Sequence, residues 1–502
     1  MKINILLSKY FFQLFIFITL FYLVFQLNYY RHWTSIDDQD LTLLHNSLLL
    51  NSGIKSEYQD HPGHTQILII SLWLNFLKLL NIIKVSSYND LQLYNFTKEE
   101  FITLVKYYRF INLLSSIIFA YCFYNIFKII SKNKKLSFLI TILLITSYSF
   151  IISISQIRTE LLSTTFIFLS FLYLIKIINS KYLKRKHVFL SGFFFILSIF
   201  GKFQSIFIFL FFPLLISFFK KKKIKIILNN FEYKKIHKIF SLILIFGIFL
   251  IWKKYVQGLN YIILPLFIGY FYLLIKYLNN KFFKSKELKF ILLFYFLFGA
   301  TISFVLIFLL KPFHTNNISV IINFFGTSSM FIQGNNPYQF KLTDVAHLFN
   351  LAFYQYYYYI KKIFLNDLYN DFLLLFFNTI IILFFLRDKK NLKNYLKIII
   401  FLLIIIFIFS PRPSLNYMIY FIPIIYIYFV FLINKFKHYK ITVVFIVLLI
   451  TSNFYNNANF INRHKLITDE DRICSNEFLN QYAFFYDRMR LELFPKACKK
   501  KN

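Results

Sequence analysis

Three aspartates, Asp37, Asp38 and Asp40, lie within four residues near the start of the chain. Carboxylates are scarce elsewhere, since the sequence holds 21 Asp and Glu against 57 Lys and Arg. An aspartate before a helix is explained as an N-terminal cap, but a cap explains one carboxylate and not three. A positioned carboxylate can accept the proton of an attacking hydroxyl, so the cluster is a candidate for general-base chemistry.

A second polar group follows as Asp60-His61-Pro62-Gly63-His64. The proline keeps the residue before it extended and breaks any helix, so a new helix is expected near Thr65. Asp60 and His61 suit a divalent ion or a phosphate, and the alternative is an interfacial turn with histidine at the surface. The second histidine, His64, is expected to take no part in chemistry, and the same holds for Asp40.

Several cations are predicted at the outer ends of helices: Arg109, Arg158 beside Glu160, Lys202, and Arg412 between two prolines. Contact with lipid headgroups is the simplest explanation for each of them. Arginine also binds phosphate through paired hydrogen bonds. Several such cations near a carboxylate cluster would therefore suit an anionic, lipid-linked substrate.

The elements that must position these residues are apolar. Of 502 residues 58% are hydrophobic, with 71 Phe and 37 Tyr, and the mean hydropathy is +0.60. Apolar runs of about 20 residues, the length that crosses a bilayer, recur between short lysine-rich breaks. The sequence predicts an all-α, polytopic membrane protein with about thirteen transmembrane helices.

The net charge of +36 is concentrated in those short breaks. Clusters of lysine between apolar runs are typical of cytoplasmic loops, and they favour anionic membrane lipids. No basic helix or recognition motif accompanies the charge, so nucleic acid is not an expected partner. Two lysines near Met1 place the N-terminus in the cytoplasm.

The predicted organisation is a membrane domain over residues 1–455 and a small outer tail over 456–502. The first outer loop covers 29–104 and carries the acidic motif, and a long outer loop covers 311–368. If the tail faces an oxidising compartment, Cys474 and Cys498 could form a disulfide.

The apolar run 65–83 is long enough to cross the membrane, but charge argues against that. A crossing there would put the near-neutral segment 84–106 inside and the basic Lys132-Asn133-Lys134-Lys135 outside, against the positive-inside rule. The sequence therefore predicts an interfacial helix over 65–83. The second span is then expected at about 105–130, the third at about 136–154 and the fourth at about 161–178. Later spans are expected at about 238–252, 371–386 and 395–410, among others.

The order of these motifs resembles the GT-C superfamily of membrane glycosyltransferases, and within it the protein O-mannosyltransferase and aminoarabinose-transferase branch. The resemblance covers residues 1–220 reasonably, 410–430 weakly and the middle hardly at all. Asp38 stands where that family commonly has Glu, and Gly63 where it has a second Pro. The matching segments are Asp37-Asp38, Asp60-His61-Pro62, Tyr108-Arg109, Arg158-Thr159-Glu160, Gly201-Lys202, and Ser414 to Pro423 with Tyr417.

The resemblance implies inverting transfer of a sugar from a polyprenyl-phosphate donor to a hydroxyl of a lipid, glycan or protein. The reaction would take place on the outer face of the membrane, with a bacterial inner membrane and a periplasm-facing site expected. Asp37 would be the base, and Asp38 would position the acceptor or assist. Asp60 and His61 would shape the site or hold an ion, and the part of a divalent cation is left open, since the transfer chemistry does not require one. The substrate- and phosphate-binding set would be Arg109, Arg158, Glu160, Lys202, Arg412 and Tyr417.

Two other functions fit the same residues. One is a flippase or transporter of lipid-linked glycans, although transporters usually place ionisable residues near mid-membrane. The other is a polymerase or ligase acting on undecaprenyl-pyrophosphate glycans through Arg and His of the outer loops. The sequence specifies neither the sugar nor the acceptor.

Overall fold

The computed structural model describes most of the first half of the chain and part of the second. The described residues are 2–31, 40–54, 63–93, 97–180, 183–202, 204–219, 263–283, 288–309, 418–434 and 439–465, with single residues 239 and 400. Of these residues 87% are helical, and they include no strand. The prediction of a helical chain is confirmed for them.

The first eight helices are α1 (Lys2–Val24, continued by a π-helical turn Phe25–Tyr29), α2 (Asp40–Asn51), α3 (His64–Leu79), α4 (Tyr88–Leu93), α5 (Lys98–Arg109), α6 (Ile111–Ser131), α7 (Lys134–Ile145) and α8 (Tyr148–Ser155). The next eight are α9 (Thr159–Asn179), α10 (Arg185–Gly201), α11 (Ser205–Phe209), α12 (Phe212–Ser217), α13 (Ile263–Leu278, continued by a π-helical turn Asn279–Phe283), α14 (Leu288–Leu309), α15 (Met418–Ile433) and α16 (Tyr439–Lys465).

Several described segments are long and apolar enough to cross a membrane, as expected of a membrane protein. They number five, or six if the pair α7 and α8, bent by 56°, is one broken span. The five are Phe11–Tyr29, Lys98–Ser131, Thr159–Asn179, Phe290–Ile307 and Thr442–Asn462. Thirteen spans are not confirmed, and the spans expected at 238–252, 371–386 and 395–410 fall outside the described helices.

Helices α9 and α10 run antiparallel and pack through serines. The Ser163 hydroxyl donates to the Ser198 carbonyl oxygen at 2.8 Å, and the Ser170 and Ser191 hydroxyls lie 3.1 Å apart. Small side chains let helix backbones approach closely, and hydroxyls bond across the interface. This pairing brings the N-terminus of α9 beside the C-terminus of α10.

Glycines provide an even closer contact between α10 and α14. A Cβ added at Gly192 would lie 2.0 Å from the Phe296 carbonyl oxygen, and one at Gly299 would lie 2.0 Å from the Phe189 carbonyl oxygen. Neither helix can carry a larger residue at these positions without moving away from the other. The two glycines therefore fix how closely α10 and α14 pack.

The segment predicted as the first outer loop contributes to a separate apolar core, formed by α2 to α5 with Ile111 and Ile157. Side chains of α2 bond to the backbone of α3, since the Ser47 hydroxyl donates to the Ile67 carbonyl oxygen at 3.1 Å. Trp73 of α3 donates to the Tyr107 carbonyl oxygen at 3.0 Å, which joins α3 to α5. The C-terminal half of α3 exposes Leu72, Phe76 and Leu79. An interfacial position for this helix stays a prediction.

Candidate functional site

A buried ion cluster surrounds Glu160 in the first turn of α9. The Arg158 guanidinium donates to both carboxylate oxygens of Glu160, from Nη2 to Oε1 at 3.2 Å and from Nε to Oε2 at 3.3 Å. Lys202 Nζ lies 3.3 Å from the same Oε1. Arg158 is 7% exposed, and Glu160 and Lys202 are 1% exposed. Two cations thus share one carboxylate out of contact with water.

Local structure explains why these residues meet. Arg158 is the extended residue before α9, Glu160 is in the first turn, and Lys202 follows the last residue of α10. The positive end of a helix dipole favours an acid, and the negative end favours a cation. Because α9 and α10 are antiparallel, the favoured acid of one helix faces the favoured cation of the other.

A second buried ion pair joins Asp40 at the start of α2 to Arg109 at the end of α5. Arg109 Nη2 and Nε donate to Asp40 Oδ2 at 2.7 and 3.0 Å. The Asp40 side chain is 0% exposed and the Arg109 side chain is 1% exposed. The Tyr108 hydroxyl donates to the backbone oxygen of Asp40 at 2.7 Å. The start of α2 is therefore fixed on both its side chain and its backbone.

A chain of backbone contacts connects this ion pair to the segment before α9. Arg109 Nη1 donates to the Arg31 carbonyl oxygen at 3.4 Å, and the Arg31 side chain in turn donates to the Ser155 carbonyl oxygen. The amide of Asn112 donates to the Gln156 carbonyl oxygen at 3.0 Å. These donors hold the turn between α8 and α9, and with it the backbone that carries Arg158.

Gly63, at the end of the Asp-His-Pro segment, lies against the N-terminus of α9. A Cβ added there would be 3.0 Å from Thr159 Cγ2 and 3.3 Å from Leu43 Cδ2. The next residue, His64, is buried, and burial lowers its pKa to about 3. Its ring lies 6.5 Å from that of Phe200 near the end of α10. The start of α3 therefore lies between the two helix ends that carry the Glu160 cluster.

The structure thus brings together three of the predicted residues, Arg158, Glu160 and Lys202, and pairs a fourth, Arg109, with Asp40. The other predicted residues lie outside the described part of the chain: Asp37, Asp38, Asp60, His61, Arg412, Tyr417, Cys474 and Cys498. Cys122 is a buried free thiol. Among the described residues no three His, Cys, Asp or Glu group as a metal site.

Sequence reasoning missed three residues that position the cluster, namely Arg31, Asp40 and Asn112. Asn112 had a detectable signal, since it is a polar residue in the first turn of a long apolar helix. Buried amides in such helices normally have a partner to satisfy. The partners of Asp40 and Arg31 had no local signal, because the groups that these two residues contact are far away in the chain.

Comparison of the chain with protein-family models, with curated proteins and with solved structures finds no match. The class defined by the fold is a helical protein with several helices suited to crossing a membrane. Its distinguishing feature is the Arg158–Glu160–Lys202 cluster at the shared end of α9 and α10.

Proposed function

We propose that the protein transfers a sugar from a polyprenyl-phosphate donor to a hydroxyl acceptor at the outer face of a membrane, with inversion at the anomeric carbon. The observation that carries the proposal is the placement of two cations, Arg158 and Lys202, on one buried carboxylate at the N-terminus of α9. This arrangement suits a phosphate, because arginine binds phosphate oxygens through paired hydrogen bonds and a helix N-terminus favours an anion.

Phosphate fits this cluster chemically. The Arg158 guanidinium is held in one orientation by Glu160, and Lys202 lies on the same carboxylate oxygen. A departing polyprenyl phosphate gains negative charge, which preoriented cations stabilise without rearranging. Since phosphate is already a good leaving group, no strong general acid is required. Arg158 and Lys202 would bind the phosphate, and Glu160 would keep them in place.

The acceptor side of the reaction is assigned to the acidic motif of the first outer loop. The flanks of this motif are anchored near the cluster, since Arg31 bonds to the Ser155 carbonyl oxygen and Gly63 packs against Thr159. Asp38 is two residues from Asp40, and two residues of chain span at most about 7 Å. Asp37 would accept the proton of the acceptor hydroxyl, and Asp38 would position the acceptor or assist.

The test is a transfer assay on the full chain purified in detergent, with a panel of polyprenyl-phosphate sugars. Release of polyprenyl phosphate, followed by mass spectrometry, reports cleavage of the donor. Asp37→Asn should abolish release, and Lys202→Met should lower kcat/KM at least about a hundredfold, as expected for loss of a charge that stabilises the transition state. Lys135→Gln, at the opposite end of the bundle, should change neither the release of polyprenyl phosphate nor kcat/KM.

Unchanged release by Asp37→Asn would contradict the proposal. If the wild-type protein moved the intact donor between leaflets of a vesicle without cleaving it, a transporter would be the correct assignment. If the protein cleaved a pyrophosphate-linked glycan but none of the monophosphate donors, a polymerase or ligase would be the correct assignment.

A further inference from the structure

Among the residues that the structure describes, the end of the bundle opposite the Glu160 cluster carries cations and no carboxylate. Helices α6, α9 and α10 meet there, at Ser131, Asn179 and Arg185. Between Glu100 and Glu232 the sequence has a single carboxylate, Glu160, which lies at the other end of α9. The cations of this basic end are the exposed Lys128, Lys184, Arg185 and Lys186 and the half-buried Lys176.

Aromatic rings hold several of these cations. Lys176 Nζ lies 4.6 Å from the centre of the Tyr173 ring, and the Arg185 guanidinium lies 5.7 Å from the centre of the Tyr295 ring. No ion pair with a carboxylate involves either cation in the part of the chain that the structure describes. A ring face attracts a cation but does not neutralise it, so the positive charge stays available to an anion.

His187 lies close to the cations of this basic end. Its ring centre lies 5.7 Å from that of Tyr173, and Lys176, Lys184 and Lys186 all lie within electrostatic range of it. The Nδ1 atom of His187 is buried and makes no hydrogen bond to any described residue. Lys176 and the His187 ring thus both lie beside Tyr173, and the exposed Lys184 and Lys186 flank His187 in the chain.

An aromatic column leads from this region along α9 and α10. Tyr173 stacks on Phe194 with ring centres 5.8 Å apart and planes 7° apart. Phe194 stacks in turn on Phe166, again at 5.8 Å. Tyr173 and Phe194 are partly exposed, so the column presents an apolar surface that begins at the cations. A charged end joined to an apolar strip matches an anionic lipid, whereas free phosphate would use only the charged end.

We propose that Lys176, Lys184 and Lys186 bind the phosphate headgroup of an anionic phospholipid, with an acyl chain along Tyr173 and Phe194. The charge asymmetry of the sequence places this end at the cytoplasmic leaflet, whose anionic lipids attract lysines at the membrane surface. The inference is independent of the proposed sugar transfer, because it concerns the opposite end of the helices.

Native mass spectrometry of the full chain in detergent tests the site, with phosphatidylglycerol and phosphatidylcholine of the same acyl chains as probes. Phosphatidylglycerol should bind at least about tenfold more tightly. Each lysine near a membrane surface is worth about a fivefold change in affinity for an anionic lipid. The variant Lys176→Gln/Lys184→Gln/Lys186→Gln should therefore lose the preference.

A matched control removes three lysines from the same end of the bundle, as Lys132→Gln/Lys134→Gln/Lys135→Gln, and should keep the preference. Tyr173→Leu should weaken binding, whereas Tyr173→Phe, which keeps the ring, should not. If the variant Lys176→Gln/Lys184→Gln/Lys186→Gln unfolds in detergent, the single change Lys184→Gln, at an exposed residue, should still lower the affinity for phosphatidylglycerol about fivefold.

Three results would overturn the site. Equal binding of the two lipids would show that the site does not recognise the anionic headgroup. Equal loss in the two triple variants would indicate diffuse surface charge. Displacement of phosphatidylglycerol by an equal concentration of inorganic phosphate would show that the site takes free phosphate and that the acyl chain adds nothing.

Discussion

Arg109 and Asp40 form a buried ion pair across 69 residues of sequence, with the guanidinium donating twice to one carboxylate oxygen. The pair fixes the start of α2 to the end of α5. The acidic motif of the first outer loop immediately precedes α2, so its C-terminal flank is held in place by this contact. Asp40 is thus a positioning residue, whereas from the sequence it was expected to take no part.

Breaking this pair should destabilise the protein strongly. Arg109→Met leaves a fully buried carboxylate without its cation, which costs about 3–5 kcal/mol of unfolding free energy. Asp40→Leu removes the carboxylate from the buried guanidinium and should have a similar cost. The double variant should be much less destabilised than the sum of the two, because neither uncompensated charge remains. Unfolding in detergent measures the coupling, and simple additivity of the two losses would contradict the pair.

The stability of the protein should depend on the charge balance of the Glu160 cluster. Glu160→Gln leaves Arg158 and Lys202 buried together and should lower stability by about 3 kcal/mol or more. Glu160→Gln/Lys202→Met restores the net charge of the wild type and should recover part of that loss. The exposed Glu99 is a matched control, since Glu99→Gln should change stability by less than about 0.5 kcal/mol. A double variant less stable than Glu160→Gln would refute this account.

Gly63 should couple the first outer loop to α9. Its substitution by alanine places a Cβ 3.0 Å from Thr159 Cγ2, which is closer than such atoms normally approach. Gly63→Ala should therefore shift the loop and lower the proposed sugar transfer. Thr159→Ser removes the methyl group in the way and should restore much of the activity in the double variant. A steady-state transfer assay measures the recovery, and its absence would mean that Thr159 is not the obstacle.

The contact between α10 and α14 should depend on its glycines. Gly192→Ala brings a Cβ to 2.0 Å from a backbone oxygen, which only a movement of the helices can relieve. Overpacking of this kind costs about 1–3 kcal/mol or more. Gly269→Ala on α13 is the control, since nothing lies within 4 Å of its added Cβ. That change should be neutral or stabilising, because alanine favours a helix. Similar melting temperatures for the two variants would contradict the close contact.

His64 should make stability depend on pH. Burial lowers its pKa from 6.5 to about 3, so the folded protein keeps it neutral while the unfolded chain takes up a proton below pH 6.5. Stability from this group is fully present above pH 6.5 and falls as the pH drops towards 3, by about 2 kcal/mol at pH 5. His64→Gln should remove that part of the pH dependence. Parallel stability curves for variant and wild type between pH 7 and 5 would exclude the effect.

Hydropathy did not predict the bend between α7 and α8. The sequence predicts one span over 136–154, and the structure has two helices that meet at 56°. At the break, the amide of Asn457 donates to the Thr146 carbonyl oxygen at 3.0 Å, and that of Asn453 donates to the Thr146 hydroxyl at 3.1 Å. Both belong to α16, and polar groups from neighbouring helices are what make a broken helix tolerable in a membrane.

The sequence by itself determined the features that depend on neighbouring residues. Apolar runs predicted α9, expected at 161–178 and found at Thr159–Asn179, and the Arg158–Glu160 contact joins residues two apart. Only the tertiary structure decided that Lys202 completes that cluster and that Asp40 takes Arg109. Many cations in this chain could pair with a given carboxylate. The cation that pairs with a given carboxylate depends on which helix ends pack together. That packing is set by long-range contacts between helices, which local sequence patterns do not encode.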